Sequence, residues 1–206
     1  MTENLITREV VVHLPTAWGD FICYAYTSPA EKNPDALQIA LVKGDISDAE
    51  TPVLTRLHSE CFTGDLLGSL RCDCGPQLHK AMQAIEEEGR GVLLYLRQEG
   101  RGIGLLAKLK AYELQEKGMD TVEANLALGF DPDMRDYGVA AAILKDLGVK
   151  KIRLMTNNPL KIDGITEHGI EVTDRLPVEI KPNKFNKKYL GTKVCKMGHL
   201  LHIIKD

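Results

Sequence analysis

The stretch Gly91-Val92-Leu93-Leu94-Tyr95-Leu96-Arg97-Gln98-Glu99-Gly100-Arg101-Gly102-Ile103-Gly104 decides the fold. Gly91–Leu96 is a short apolar run of the kind buried on both faces of a sheet. A glycine-rich turn follows. Residues 103–117 then place Leu106, Leu109 and Leu114 near helical spacing, and Gly118 ends that segment. Upstream, Gly75-Pro76 opens a predicted helix with Leu78, Met82 and Ile85 on one face, and Gly89 closes it. Downstream, Asp120 with Glu123 three residues on forms a capping-box-like start. Further helices are predicted over 136–147 and 158–168, with strands over 151–155 and 170–174. Before all of this, 8–14, 21–27, 37–42 and 53–58 read as strands rich in Val, Ile, Leu and Tyr. The expected fold is α/β: a mixed sheet with helices on both faces and a β-rich N-terminal part. In such a sheet ligands sit beyond the carboxyl ends of the strands, so the loops after Leu96 and Met155 are the places to look.

The chain has 206 residues, 44% hydrophobic and 27% charged, the composition of an ordinary soluble domain. Apolar runs such as Val92–Leu96 fall far short of the roughly 20 residues that span a bilayer. The first residues, Met1 to Glu9, lack the basic-then-apolar layout of a signal peptide. The expected setting is the cytoplasm, with no membrane association. A net charge of −3 argues against a general nucleic-acid binder. The charge is uneven: from Lys181 onward seven lysines stand against one acid, Asp206. This tail reads as a solvated terminal segment. A contact with phosphate or with a partner subunit is the sharper alternative.

Five cysteines at this length do not make a disulfide scaffold. Three are close together: Cys61, then ten residues, then Cys72-Asp73-Cys74. Zinc suits thiolates, and three protein ligands would leave one position open for water. The alternatives are buried small hydrophobes, a redox group, or structural zinc with His58, His79 or Cys195 as fourth ligand. Cys23 and Cys195 read as inert.

The turn after Leu96 is a candidate anion cradle, with backbone N–H groups at a helix start and Arg97 and Arg101 beside them. It is not a dinucleotide fingerprint, because Leu105 occupies the position that needs glycine or alanine. Asp131-Pro132-Asp133-Met134-Arg135-Asp136 loosely resembles a calcium loop but has Asp136 where the glycine belongs. Thr156-Asn157-Asn158-Pro159 reads as a helix cap and a second potential anion site. A nucleoside triphosphate would account for several such sites at once.

The sequence resembles the GTP cyclohydrolase II family over about residues 8–202. The likeness rests on Arg56-Leu57-His58-Ser59-Glu60-Cys61-Phe62-Thr63-Gly64-Asp65, Ser69-Leu70-Arg71-Cys72-Asp73-Cys74-Gly75, Arg97 through Gly104, Asp120-Thr121-Val122-Glu123-Ala124-Asn125, Arg135-Asp136-Tyr137, Thr156-Asn157-Asn158-Pro159 and Lys196-Met197-Gly198-His199. All occur in the family's order.

The resemblance implies conversion of GTP to formate, pyrophosphate and a 2,5-diamino-6-ribosylamino-pyrimidinone 5′-phosphate, the first committed step of riboflavin biosynthesis. It implies one zinc (Zn2+) on Cys61, Cys72 and Cys74, and magnesium (Mg2+) with the triphosphate. Nucleotide contacts would come from Arg56, Leu57, His58, Ser59, Glu60, Gln77, Glu99, Gly100, Arg101, Thr121, Thr156 and Lys161. Asp133 would be the proton acceptor, Arg135 the group at the α-phosphate and Tyr112 the pocket tyrosine near the reaction centre. Glu99 suits the N1–H and 2-amino edge of guanine. A guanidinium is a poor nucleophile, so residue chemistry casts Arg135 as a clamp rather than a covalent group. Water activated at the open metal position would attack C8. A base deaminase is a second reading, though the Pro-Cys-x-x-Cys element is missing. A non-catalytic nucleotide-binding or structural-zinc module is a third. The expected organisation is one domain over 1–206: a β-rich part 8–58, a zinc- and nucleotide-binding α/β part 59–180, and the basic tail 181–206. A homodimer is implied. The few residues before the match leave no room for the dihydroxybutanone-phosphate synthase domain fused upstream in many relatives.

Overall fold

The computed structural model describes residues 5–29, 36–131 and 133–202. Pro132 of the acidic cluster and residues 203–206 of the basic tail lie outside them. The strands are β1 (Thr7–Thr16), β2 (Gly19–Thr27), β3 (Gln38–Lys43), β4 (Val53–Ser59), β5 (Gly91–Leu96), β6 (Lys151–Met155) and β7 (Glu171–Leu176). They form one sheet in the order β1-β2-β3-β5-β4-β6-β7. Pairings from β1 to β5 are antiparallel, and those from β5 through β4 and β6 to β7 are parallel. The sheet is mixed, and the β-rich N-terminal part supplies its antiparallel side. Strand β5 sits at the junction with β3 on one flank and β4 on the other, which is why its whole run is apolar. Gly91 admits no side chain, since a Cβ there would lie 2.8 Å from Leu54 O.

The helices are α1 (Cys74–Glu88), α2 (Leu105–Glu116), α3 (Thr121–Ala127), α4 (Gly138–Asp146), α5 (Pro159–Glu167) and α6 (Lys187–Met197). Alternate residues of the sheet feed two cores. Leu41, Leu54 and Leu93 pack with Ala81, Met82 and Ile85 of α1 on one face. Leu57, Val92, Leu94 and Leu154 pack with Ile143 and Leu144 of α4 and Ile165 of α5 on the other. No helix among the described residues is long and apolar enough to cross a membrane.

Helix α2 forms where the leucine spacing predicts a helix, but it buries only Ala111 and leaves Leu106 70% and Leu109 46% exposed. It packs on α3 and the glycine turn rather than on the sheet. The basic tail is not a solvated segment. It folds as α6, buries Leu190, and pairs Lys193 with Asp73 and Lys196 with Asp120 and Glu123.

Candidate active site

Strand β4 delivers Cys61. The chain then makes one π-helical turn, Phe62–Leu66, and returns with Cys72 and with Cys74 at the start of α1. The three sulfurs lie within 4.8 Å of one another, and Cys61 and Cys72 are 3.7 Å apart. A Cβ on Gly64 would stand 2.7 Å from Cys72 Sγ and 3.0 Å from Cys61 Sγ, so glycine keeps the space at the sulfurs open. Asp65 anchors the turn, accepting from Cys61 N at 2.9 Å and Tyr95 Oη at 3.0 Å. None of the candidate fourth ligands joins the group among the described residues. His58 Nε2 lies 3.0 Å from the Asp65 carboxylate, His79 stacks on Trp18 at 3.7 Å, and Cys195 is exposed on α6. Three convergent soft donors with an open side fit zinc.

Cys61 sits where its neighbours favour a thiolate. Hydrogen bonds from Cys72 and Cys74 hold its thiol well below the ordinary range, helped by Lys108 at 3.0 Å. The bond that Cys72 gives to Cys61 pushes its own thiol up to about 11.

The cleft beside these sulfurs opens at the carboxyl ends of β4, β5 and β6 and, with the open solvent at its mouth, spans about 1140 Å³. Its wall includes the three cysteines, Arg56, His58, Ser59, Glu60, Gln77, Glu99, Gly100, Arg101, Tyr112, Thr121, Arg135, Thr156 and Lys161. Leu57 and Asp133 are not in the wall. The Leu57 side chain is core, and only its carbonyl reaches the site, accepting from Lys161 Nζ at 2.7 Å. Asp133 stands behind Arg135 and receives both Nε, at 2.8 Å, and a terminal nitrogen of its guanidinium. Burial would raise the Asp133 carboxyl, but the bonds and charge of Arg135 outweigh it and hold the group below its ordinary value. Burial works against the Arg135 charge, yet Asp133 more than offsets it and raises the guanidinium further.

Two buried cations line the cleft. Arg56 is 5% exposed, donates to Met155 O and Gln77 Oε1 at 2.8 Å each, and has its Nε buried without a partner. Burial brings its pKa down to about 10. Lys161 donates to Leu57 O and, at 3.5 Å, to Ser59 Oγ, and is pushed well down by burial and by the charges of Arg56 and Arg135. Burying charge against neutral acceptors is unfavourable unless an anion arrives.

The glycine turn departs from the expected backbone cradle. The N–H groups of Gly100, Gly102 and Gly104 are used within the turn, by Glu99 Oε1 at 2.6 Å, Gln98 O at 3.3 Å and Glu99 O at 3.0 Å. Gly100 and Arg101 take φ of 63° and 65°, left-handed values that aim the Arg101 side chain into the cleft wall. Arg97 turns away to Glu60 at 2.9 Å. Glu99 is also committed: it accepts from Phe62 N at 2.6 Å and Lys108 Nζ at 2.8 Å, tying the glycine turn to the metal turn. Asn158 caps α5 through Leu160 N at 3.2 Å, and Asp120 and Glu123 complete a capping box on α3.

Lys108, Tyr189 and Lys193 also line the cleft and escape the sequence reading, and Asp73 and His199, quoted only within motifs, line it too. Lys108 lies four residues before Tyr112, one helical turn along the same face, and that spacing could have found it. Tyr112 itself has its hydroxyl 3.5 Å from Thr63 Oγ1, and burial pushes its pKa up to about 12.

A family model described as GTP cyclohydrolase II matches residues 7–177. The chain belongs to the GTP cyclohydrolase II family. It is 58% identical over 201 residues to the riboflavin biosynthesis protein RibBA of Bacillus cytotoxicus, covering 98% of this chain and 50% of that protein. It is likewise 58% identical over 199 residues to the RibBA of Bacillus subtilis strain 168, covering 97% and 49%. The chain thus spans about half the length of the curated relatives it matches. A solved two-domain 3,4-dihydroxy-2-butanone 4-phosphate synthase from A. baumannii, RibBX, aligns at 24% identity and TM-score 0.45, over 85% of this chain and 41% of that one. The GTP cyclohydrolase II match ends before α6, although α6 forms part of the cleft wall.

Proposed function

We propose that the chain hydrolyses GTP, opening the guanine imidazole ring to release formate and pyrophosphate and leave the ribosylaminopyrimidinone phosphate that begins riboflavin biosynthesis. The observation that carries this reading is one cleft lined by two chemistries: the thiols of Cys61, Cys72 and Cys74, and the cations of Arg56, Arg135 and Lys161. Cys61, Cys72 and Cys74 would hold one zinc. When bound, zinc supplies Lewis acidity that makes water a nucleophile near neutral pH.

The protein's own groups do the rest. Arg56 and Lys161 receive the phosphates, with magnesium offsetting part of their charge. Arg135, kept charged by Asp133, clamps developing phosphoryl charge; a guanidinium held protonated offers no lone pair for covalent attack. Asp133, kept anionic, anchors Arg135 and is a weak proton acceptor. Tyr112 stays protonated and donates a hydrogen bond beside the reacting ring. Arg101 orients the nucleotide from the glycine turn. Gln77 and Thr156 complete the nucleotide pocket, with Ser59 and Thr121. The reading carries with it a cytoplasmic homodimer whose partner is GTP, not nucleic acid or a membrane.

Purified protein is expected to carry one zinc per chain and to release formate and pyrophosphate from GTP in equal amounts. Full turnover by zinc-free protein, ammonia in place of formate, or GTP binding without product overturns the reading.

A further inference from the structure

We propose that Lys193, on α6, is a positioning residue for the cleft: through Asp73 and Gln77 it fixes the Arg56 guanidinium and leaves its charge available to substrate. The proposal rests on the GTP reading above and concerns a helix outside the region matched to the family.

The four side chains form one relay. Lys193 Nζ donates to Asp73 Oδ1 at 2.9 Å, and Gln77 Nε2 donates to Asp73 Oδ2. Gln77 Oε1 accepts from a terminal nitrogen of Arg56 at 2.8 Å. The other terminal nitrogen of Arg56 donates to Met155 O at 2.8 Å. The order of donors and acceptors admits one arrangement only. The Gln77 amide must turn its nitrogen to the carboxylate and its oxygen to the guanidinium. Asp73 is 2% exposed, so its charge needs a cation close by. Lys193 is that cation. Without it, Asp73 would draw on Arg56, the next buried positive charge along the relay. The guanidinium would then shift or lose net charge toward the cleft. Arg56 lines the cleft, and its Nε is buried without a partner, so its guanidinium keeps capacity that the relay does not use.

The architecture holds Lys193 in register. Asn186 Nδ2 donates to Cys72 O at 3.4 Å, Leu190 is buried one turn before Lys193, and Lys196 pairs with Glu123 at 3.1 Å. The helix is therefore pinned to Cys72 at one end and to α3 at the other.

The test uses full-length, zinc-loaded protein with four variants: Lys193→Met, Lys193→Arg, Gln77→Leu, and Lys193→Met with Gln77→Leu. The readouts are kcat and KM for formate release, GTP affinity by calorimetry, zinc per chain and the thermal midpoint. Lys193→Met is expected to weaken GTP binding and raise KM about tenfold or more, the scale of a charge-assisted hydrogen bond. It should change kcat less and keep its zinc, and its midpoint should fall because Asp73 is left without its cation. Lys193→Arg should recover most of the affinity. The double variant should be no worse than the weaker single, because both break one relay. Wild-type KM in Lys193→Met overturns the proposal. So do fully additive losses, or a loss that tracks zinc or is not rescued by arginine. If Lys193→Met does not fold, Lys193→Gln carries the same comparison. Wild-type protein that neither binds nor hydrolyses GTP overturns the GTP reading instead, so the two failures are distinct.

Discussion

The ammonium of Lys108 lies 3.0 Å from Cys61 Sγ. Burial would discharge it, but the Cys61 thiolate and Glu99 outweigh burial and hold it protonated. On the zinc reading proposed above, Lys108 offsets the charge of three thiolates around one dication. Lys108→Met is expected to weaken zinc binding by roughly 10–100-fold, the usual cost of losing a partner behind a metal ligand. Chelator competition measures it. The metal-free variant should also need higher pH to form its first thiolate, seen in the ultraviolet thiolate band. Unchanged zinc affinity would show that Lys108 is not the stabilising cation.

Glu99 separates a base-reading role from a bracing one. Its oxygens accept from Phe62 N, Gly100 N and Lys108, so the carboxylate braces the metal turn against the glycine turn. Glu99→Gln puts a donor where an acceptor is needed. It is expected to release zinc faster while keeping the wild-type preference for GTP over ATP. A collapse of that preference with zinc retained would return Glu99 to the guanine edge.

These two residues mark where sequence reading stops. The strands over 8–58 and the helix ends at Gly89, Gly118 and Gly148 were legible because period and turn chemistry are local. The cysteines were legible because soft donors at close spacing have few uses. Helix α6 was not, because what holds Lys193 is Asp73, 120 residues away in sequence. Spacing placed Leu106 and Leu109 on a helix but does not say what covers them, and both stay exposed. The glycine turn misled because its N–H groups close on Glu99 and Gln98, a choice that depends on local dihedrals.

Arg135 tests clamp against nucleophile. Asp133 grips it through two guanidinium nitrogens, which fixes the plane and keeps it charged. Arg135→Lys keeps the charge but loses the fork, and kcat is expected to fall about 100-fold. Rapid quench of the wild-type enzyme with labelled GTP should trap no covalent nucleotide. An adduct on Arg135 would establish the covalent route, and near-full activity in Arg135→Lys would remove the bidentate clamp.

Gly64 tests the space around the sulfurs. A methyl there would press on Cys72 Sγ at 2.7 Å and on Cys74 Cβ at 3.1 Å. Overpacking of this kind costs about 1–3 kcal/mol. The strain should fall on the three-sulfur geometry, since the backbone of Gly64 is not in the left-handed region. Gly64→Ala is expected to fold with a near-normal midpoint and bind zinc at least several-fold more weakly. A variant that binds zinc normally but melts much lower would place the strain in the fold.

His199 gives a pH dependence with a definite sign. It lines the cleft with Nδ1 3.3 Å from Met197 O, and burial, then the charge of Lys193, pushes its pKa from 6.5 down to about 3. The unfolded chain binds a proton near pH 6.5 that the folded chain refuses until about pH 3. Across that window the unfolded state holds more protons, so stability rises with pH. Acidification from neutrality is therefore expected to destabilise the protein well before its carboxylates titrate. His58, also lowered by burial, contributes in the same direction. His199→Gln should remove part of the slope of stability against pH between about pH 6 and pH 5, leaving the His58 share. Urea unfolding of both proteins across that range measures it. Equal slopes would mean that His199 takes up its proton in the folded cleft as readily as in the unfolded chain.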